Sequence, residues 1–327
     1  MKSIRLRLLA LAASFACSAL ACGPAHAQDY PNKAVKIIVP YATGGLPDTI
    51  ARLVGQRLNE TLGQQFLVDN RGGAGGISGT DAVAKAAPDG YTLLVADVGQ
   101  LAINPFLYKK LPYDSIKDFA PIGLVGTSPL YIVIHPSVPA NTLQELIALV
   151  KSRPGQFNYG SAGTGSIHHL TMESFKAALG LEITHIPYKG SGQSVPALLG
   201  GQVNMLPTAL PSMAVHVKNG KVKLLAITTL KRSAAEPQVP AVAELVPGFD
   251  FLAEIGLLAP AGTPSAIVNR LSSEIAKAVR HPDVLPRFVA LGIDPVGSTP
   301  DAYAANIRAA LDKYAKAVKV SGAQAQD

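Results

Sequence analysis

The chain has 327 residues, of which 48% are hydrophobic and 16% are charged, and its formal net charge is +7. This apolar content supplies enough core for two domains and argues against an intrinsically disordered chain. The excess of basic residues is mild and scattered rather than gathered on one aromatic-rich stripe, so the sequence argues against a nucleic-acid partner.

The first 27 residues have the order of an export signal. Lys2, Arg5 and Arg7 precede an apolar run at residues 8–21, and a small-residue motif ends at Ala27. The run is shorter than the roughly 20 residues that a membrane span requires. We therefore expect a secreted, periplasmic protein cleaved after Ala27, which leaves 26 basic and 22 acidic residues and a formal charge of +4.

Both cysteines, Cys17 and Cys22, lie in this segment. The exported chain would then contain no disulfide and no cysteine-bound metal. A form anchored by a lipid on Cys22 is the alternative, although Ala19 and Leu20 fit the required motif poorly.

Beyond this segment, short apolar runs alternate with segments of helical period, which is typical of parallel strands connected by helices in an α/β fold. In the first part of the chain we expect strands at residues 35–39, 66–69 and 92–96, and helices at 49–62 and 77–86. A second set begins with a strand at 131–134 and a helix at 143–151, capped by Asn141 or Thr142. The alternation continues at residues 158–161, 168–179, 183–187, 195–199, 203–206 and 224–228, and an apolar segment at 251–258 leads to helices at 267–279 and 302–318.

No flexible linker separates the two sets, which favours two lobes joined by ordered crossings. We expect the crossings near residues 123–129 and 254–260. The first lobe would comprise residues 28–126 and 254–327, and the second lobe residues 127–253.

Two loops could hold an anionic ligand, because ligands of parallel α/β sheets bind beyond the carboxyl ends of the strands, near helix N-termini. The first loop, at residues 40–48, has two glycines followed by Pro47 and Asp48, which suit a helix start. An ordinary strand-to-helix turn is the alternative. The second loop, SAGTGS at 161–166, combines hydroxyl groups with the free N–H groups of a helix start.

Other candidate motifs fail on inspection. The segment RGGAGG at 71–76 is neither a P-loop nor a G-x-G-x-x-G motif, because Ser78 occupies the last position. A serine hydrolase elbow would need glycine at positions 159 or 164, which are Tyr159 and Thr164.

The histidines do not form a metal-binding pattern. His168 and His169 are adjacent on a predicted helix, so their rings point in different directions and cannot share a metal ion. The remaining histidines considered stand alone in the sequence: His135, His185, His216 and His281. We expect no metal and no cofactor.

A series of motifs occurs in order along the chain: YPNK at 30–33, IIVPY at 37–41, GG at 44–45 with Asp48, DNR at 69–71, AKAAPDGYTLL at 84–94, LPYD at 111–114, NYGSAG at 158–163, HIPYKG at 185–190, LGGQV at 199–203 and LLAPAGTP at 257–264. Together they resemble the Bug-type receptors of tripartite tricarboxylate transporters. The resemblance implies a two-lobed Venus-flytrap fold with a ligand cleft, a monomer in the periplasm, carboxylate ligands, and a membrane partner of one large and one small subunit.

The resemblance also implies which residues contact the ligand, because the two loops of such receptors hold a carboxylate through backbone N–H groups. It assigns this role to Tyr41, Ala42, Thr43, Gly44, Gly45, Asp48, Ser161, Gly163, Thr164, Ser166 and Tyr188. We expect no enzymatic activity. The alternatives are a periplasmic hydrolase or isomerase of a carboxylic acid, and a receptor that delivers its ligand to a sensor kinase.

One departure from the family pattern bears on the ligand. Thr208 stands where many relatives carry an acid that faces the cleft. We therefore expect a non-amino ligand, either a dicarboxylate or an aromatic acid such as terephthalate or nicotinate, with Tyr41 or Tyr188 stacking on a ring. The alternative is that Thr208 only caps a helix that begins near Pro211.

Overall fold

The computed structural model describes residues 30–233 and 236–325. Residues 30–32 belong to a separate N-terminal unit, and the main unit begins at Lys33. The expected export signal at residues 1–27, with its cleavage point and both cysteines, lies outside the described residues.

The first lobe is built on a six-stranded sheet. Its strands are β1 (Val35–Val39), β2 (Phe66–Asn70), β3 (Thr92–Ala96), β4 (Phe119–Pro129), β10 (Leu252–Pro260) and β11 (Asp294–Pro295), in the order β11-β4-β10-β3-β1-β2. The associated helices are α1 (Leu46–Leu62), α2 (Ile77–Ala84), α3 (Asn104–Leu107), α8 (Ser265–Ala278), α9 (Leu285–Ala290) and α10 (Pro300–Ser321). Strand β1 runs parallel to β2 and β3, so their carboxyl ends meet at one edge.

The second lobe is built on a five-stranded sheet. Its strands are β5 (Tyr131–Ile134), β6 (Phe157–Ser161), β7 (Ile183–Pro187), β8 (Met205–Thr208) and β9 (Lys223–Ile227), in the order β7-β6-β8-β5-β9. Its helices are α4 (Leu143–Ser152), α5 (Ile167–Leu179), α6 (Ser191–Leu199) and α7 (Ala214–Lys218). Strand β6 runs parallel to both β7 and β8, which again brings three carboxyl ends together.

Two antiparallel strands connect the lobes. Strand β4 pairs with β10 along its length and continues through Leu130 into β5. Thr228, which is fully buried, lies between these connections: its N–H donates to the Leu130 carbonyl, and its Oγ1 lies 2.7 Å from the carbonyl oxygen of Phe251. Both predicted crossings lie within these strands, whereas the exact lobe limits at residues 126/127 and 253/254 remain predictions.

The C-terminal helix contacts elements of both lobes. Helix α10 packs on β4 and on α5. A row of aromatic rings joins Phe175 of α5, Phe249, Phe251 and Tyr314 of α10, with neighbouring centroids 4.8–6.4 Å apart. Burial of these rings favours a fixed position for the helix across the two lobes.

Most predicted elements are confirmed, and the differences lie at their ends. Helix α1 begins at Leu46 rather than residue 49, because Gly45 is its N-cap and Pro47 fits the first turn. The side chain of Thr142, rather than Asn141, caps α4 by accepting a hydrogen bond from the Glu145 N–H. Among the described residues, no helix combines the length and apolar character needed to cross a bilayer.

Candidate functional site

The carboxyl ends of the parallel strands in both sheets face a common cleft, where their loops touch. The Ala42 N–H donates to the Lys189 carbonyl at 2.9 Å. The Tyr108 hydroxyl donates to the Thr164 carbonyl at 3.0 Å, and Ser212 Oγ lies 3.2 Å from the Gly44 carbonyl oxygen. These bonds join loops of different lobes, so the structure shows the cleft closed.

A small cavity remains between the closed loops. It measures about 10 Å³ and is lined by Tyr41, Gly45, Pro47, Asp97, Ala162, His168 and Ser191. A volume of this size suits roughly one water molecule, so a larger ligand requires the lobes to move apart. The lining residues include no Lys or Arg.

Three helices begin at this cavity. Gly45 is the N-cap of α1, His168 lies in the first turn of α5, and Ser191 is the first residue of α6. The first N–H groups of a helix have no partner within the helix, and the helix dipole places partial positive charge at this end. The cavity is therefore suited to a carboxylate without any basic side chain.

The first loop is held by its own side chains. The Asp48 carboxylate is almost fully buried and accepts hydrogen bonds from the Gly44 N–H and from Arg52 Nε, both at 2.9 Å. Gly44 has φ +93°, a conformation that favours glycine. Asp48 thus shapes the loop, whereas Gly45 lines the cavity.

The loop between β6 and α5 is fixed in a similar way. The Ser166 hydroxyl donates to the Gly163 carbonyl at 2.6 Å and caps α5 by accepting from the His169 N–H. Ser161 Oγ accepts from the Gly163 N–H and lies 2.7 Å from His185 Nε2. Ser161, Gly163 and Ser166 therefore set the shape of the loop.

His185 stands alone in the sequence but has two ring neighbours in the structure. Its ring stacks between those of Tyr159 and His169, with centroids 4.8 and 4.3 Å away. Burial is the main cause that lowers the pKa of His169 to about 4 and that of His185 to about 3. Both imidazoles are therefore neutral at pH 7 and support the ligand loop through Ser161 and through the Gly165 N–H, which donates to His169 Nδ1.

Asp97 is a cavity residue that the sequence analysis missed. It follows β3 directly, is 2% exposed, and accepts hydrogen bonds from the Gly99 N–H and from the Tyr41 hydroxyl. Gln100 Nε2 donates to the Tyr41 oxygen at 2.8 Å and so completes the network. Burial raises the pKa of Asp97 to about 6, against the opposing effect of these bonds.

His168 faces the same cavity from the second lobe, and its role there was also missed. It is 8% exposed, and its buried Nδ1 has no hydrogen-bond partner. Burial lowers the pKa of His168 to about 4, so the ring is neutral at pH 7.

Tyr188 and Thr208 lie near the cleft but do not line the closed cavity. Tyr188 is half-buried, and its N–H donates to the Ser161 carbonyl. Thr208 ends β8, is 1% exposed, and its Oγ1 has no hydrogen-bond partner. The alternative that Thr208 caps the next helix is wrong, because a 3-10 turn begins at Leu210 with Ala209 as its N-cap.

A metal cluster and larger hollows are the other features that could mark a site. Within residues 30–233 and 236–325, no cluster of three or more His, Cys, Asp or Glu residues could hold a metal ion. Larger hollows of about 510 and 660 Å³ open onto solvent, one beside α3 and one beside the start of β10.

Comparison with known proteins identifies the family. Residues 50–322 match the model of the tripartite tricarboxylate transporter family receptor. The chain is 38% identical to Protein BugT of Bordetella pertussis over 320 residues, which cover 97% of this chain and 98% of BugT.

Solved structures give the same result. An adipate-bound protein of R. palustris is 33% identical with a TM-score of 0.87, covering 90% of this chain and 98% of that one. MatC of Rhodopseudomonas palustris, with bound malate, is 33% identical with a TM-score of 0.85, covering 88% and 100%. The chain therefore belongs to the tripartite tricarboxylate transporter receptor family, whose members are two-lobed periplasmic solute-binding proteins.

Proposed function

We propose that this protein captures a small organic carboxylate between its lobes and delivers it to the membrane components of a tripartite tricarboxylate transporter. The observation that carries the proposal is the convergence of three helix N-termini on one cavity without a basic side chain. A carboxylate there accepts backbone hydrogen bonds and interacts favourably with three helix dipoles.

The proposed ligand is a dicarboxylate or an aromatic acid. Relatives that bind adipate and malate support a dicarboxylate. The sequence-based expectation also includes an aromatic acid such as terephthalate, and Tyr41 is one of the residues that line the cavity. Tyr188 does not line the closed cavity, so it would have to turn toward the ligand to stack on a ring.

The proposal extends to location and partners. The charged, apolar and small-residue order of residues 1–27 supports export to the periplasm and cleavage after Ala27. Membership of the receptor family supports a membrane partner of one large and one small subunit, engaged by a monomeric receptor.

A hydrolase is disfavoured by the surroundings of the Ser161–His185 pair. Ser161 is 1% exposed and does not line the cavity. Its Oγ already accepts the Gly163 N–H at 3.0 Å, so the hydroxyl holds the loop instead of facing a substrate. A nucleophilic serine must reach the reacting carbon, which this geometry prevents.

A thermal-shift screen of mono-, di- and tricarboxylates and aromatic acids tests the function. A ligand present at 100 times its Kd adds about 2.7 kcal/mol to stability. Small-angle scattering on the saturated protein should then show a smaller radius than the free protein. Binding without compaction would contradict capture by closure, since closure requires different affinities for the open and closed states.

Substitutions in the first loop test the mode of binding. Gly45→Pro removes an N–H at the start of α1, and the observed φ of −85° is close to the range of proline, so we expect a severe loss of affinity with the fold retained. Arg71→Ala is the control, because the exposed Arg71 guanidinium pairs with Asp69 and does not line the cavity. A complete loss of affinity in the arginine variant would indicate a charge clamp instead.

A further inference from the structure

Asp97 and His168 face one cavity from opposite lobes. Asp97 follows β3 of the first sheet, and His168 belongs to α5 of the second. The cavity is therefore lined by an acidic group from one lobe and an imidazole from the other.

Both of these lining residues retain unused hydrogen-bonding capacity. Asp97 Oδ1 accepts the Gly99 N–H, and the single Tyr41 proton is shared between Oδ1 and Oδ2. The Gln100 N–H also interacts with this carboxylate. A carboxylate has about four acceptor sites, so the carboxylate of Asp97 retains capacity for another donor. His168 Nδ1 is buried with no partner at all.

The cavity does not compensate the charge of Asp97 with a basic side chain. None of its lining residues is Lys or Arg. A ligand that offered only methylene groups would leave the Asp97 carboxylate and His168 Nδ1 without a partner from the ligand, which is unfavourable for buried polar groups. A second carboxylate placed beside Asp97 would be repelled.

We infer that Asp97 and His168 select a carboxylate whose carbon chain carries a hydrogen-bond donor, a hydroxyl or ammonium group, near the bound carboxylate. The donor bonds to the Asp97 carboxylate. His168 Nδ1 accepts a second proton of an ammonium group or, in the other tautomer, donates to a hydroxyl oxygen. This inference rests on the proposed function, because it assumes that the helix N-termini hold the carboxylate.

Matched ligand series test the inference on the full mature chain. Each series contains an unsubstituted acid, its hydroxyl form and its amino form: propionate, lactate and alanine; succinate, malate and aspartate; phenylacetate, mandelate and phenylglycine. Calorimetry should show a donor-bearing member binding at least about tenfold more tightly than its unsubstituted partner, as expected for a hydrogen bond to a charged group. The order of the hydroxyl and amino members identifies the donor.

Variants assign the selectivity to residues. Asp97→Asn removes the charge with little change in shape, and His168→Gln removes the imidazole; each should reduce the preference for the donor-bearing ligand severalfold or more. Asp301→Asn, at an exposed position in the first turn of α10, is the matched control and should leave the preference unchanged.

The outcomes are distinguishable. Equal binding of the three members of a series by the wild type overturns the inference and leaves the proposed function standing, even if a variant fails to fold. A preference that persists in both variants also overturns it. Binding of an unsubstituted acid outside the three series, with none of the nine compounds bound, overturns the inference alone. Binding of no carboxylate in the thermal-shift screen overturns the proposed function itself.

Discussion

Closure of the cleft leaves no room for a side-chain atom at Gly192, in the first turn of α6. A Cβ placed there would overlap the carbonyl oxygen of Thr43, which belongs to the first loop of the opposite lobe. The φ of Gly192 lies outside the left-handed region, so alanine can adopt the backbone conformation. Gly192→Ala should therefore act on closure without disturbing the fold of either lobe.

The size of the effect follows from the cost of overpacking. An extra methyl group in a close-packed contact typically costs about 1–3 kcal/mol. This cost arises only in the closed state, so the apparent Kd should rise roughly 5- to 150-fold. In the ligand-free protein the lobes can move apart and avoid the clash. Its Tm should therefore remain unchanged or rise slightly, because alanine is favoured over glycine in a helix by about 1 kcal/mol.

Isothermal calorimetry with the tightest carboxylate of the screen measures this change. Gly55→Ala is the matched control, because Gly55 also lies in a helix, and its Cβ would meet neighbours at an ordinary 3.6–3.7 Å. An unchanged Kd in Gly192→Ala would refute the view that the contacts between the first loop and α6 belong to the ligand-bound state.

Three further changes test the hinge, the histidine stack and the specificity position. Thr228→Val removes the hydroxyl group between the strands that connect the lobes. Urea titration should show a free energy of unfolding lower by about 1–3 kcal/mol, since the buried carbonyl of Phe251 loses its donor. An unchanged value would show that this hydroxyl group does not stabilise the connection. Burial lowers the pKa values of His169 and His185 to about 4 and about 3 in the folded protein, whereas the same histidines in the unfolded chain take up protons below pH 6.5. Their contribution to the free energy of unfolding should therefore be lost as the pH falls from 6.5 toward 3. A Tm scan from pH 8 to 4 checks this against a variant with glutamine at both positions, which should lose less stability over that range; equal losses would contradict it. Thr208→Asp should raise the affinity for aspartate relative to succinate, by up to roughly 4 kcal/mol for charges about 4 Å apart at an effective dielectric near 20. Calorimetry measures both affinities, and two unchanged values would exclude Thr208 from ligand selection.

Hydrophobic periodicity predicted most of the longer elements, because strands covered on both faces and helices with one apolar face leave distinct patterns in the sequence. It did not predict the long strand β4 or the short elements α3, α7, α9 and β11. The strand expected at residues 203–206 is instead β8 at Met205–Thr208. A strand assignment from sequence stops before Pro207, since proline cannot donate a hydrogen bond to a neighbouring strand. The strand continues in the structure because all four of its residues pair with β5, with Pro207 opposite Ile132, whereas its pairing with β6 is limited to Tyr159 and Met205.

The site was predicted less completely than the fold. Glycine and hydroxyl residues at helix starts identified the two loops, because their chemistry is local. The positions of Asp97 and His168 in one cavity depend on how two lobes meet, which no local pattern reports. A usable signal did exist for Asp97: a single acid stands directly after the apolar strand β3, at the edge where ligands of such sheets bind.

Asp97 and Thr208 lead to different expectations about whether the ligand carries an ammonium group. The absence of an acid at position 208 predicts selection against an ammonium group, but that reasoning assumes that no other acid faces the ligand. The structure places the Asp97 carboxylate in the cavity itself, whereas Thr208 does not line it. The two positions thus predict opposite orders of affinity for succinate and aspartate. A preference for succinate that Thr208→Asp reverses would assign selection to the second lobe, and a preference for malate or aspartate that Asp97→Asn removes would assign it to the first.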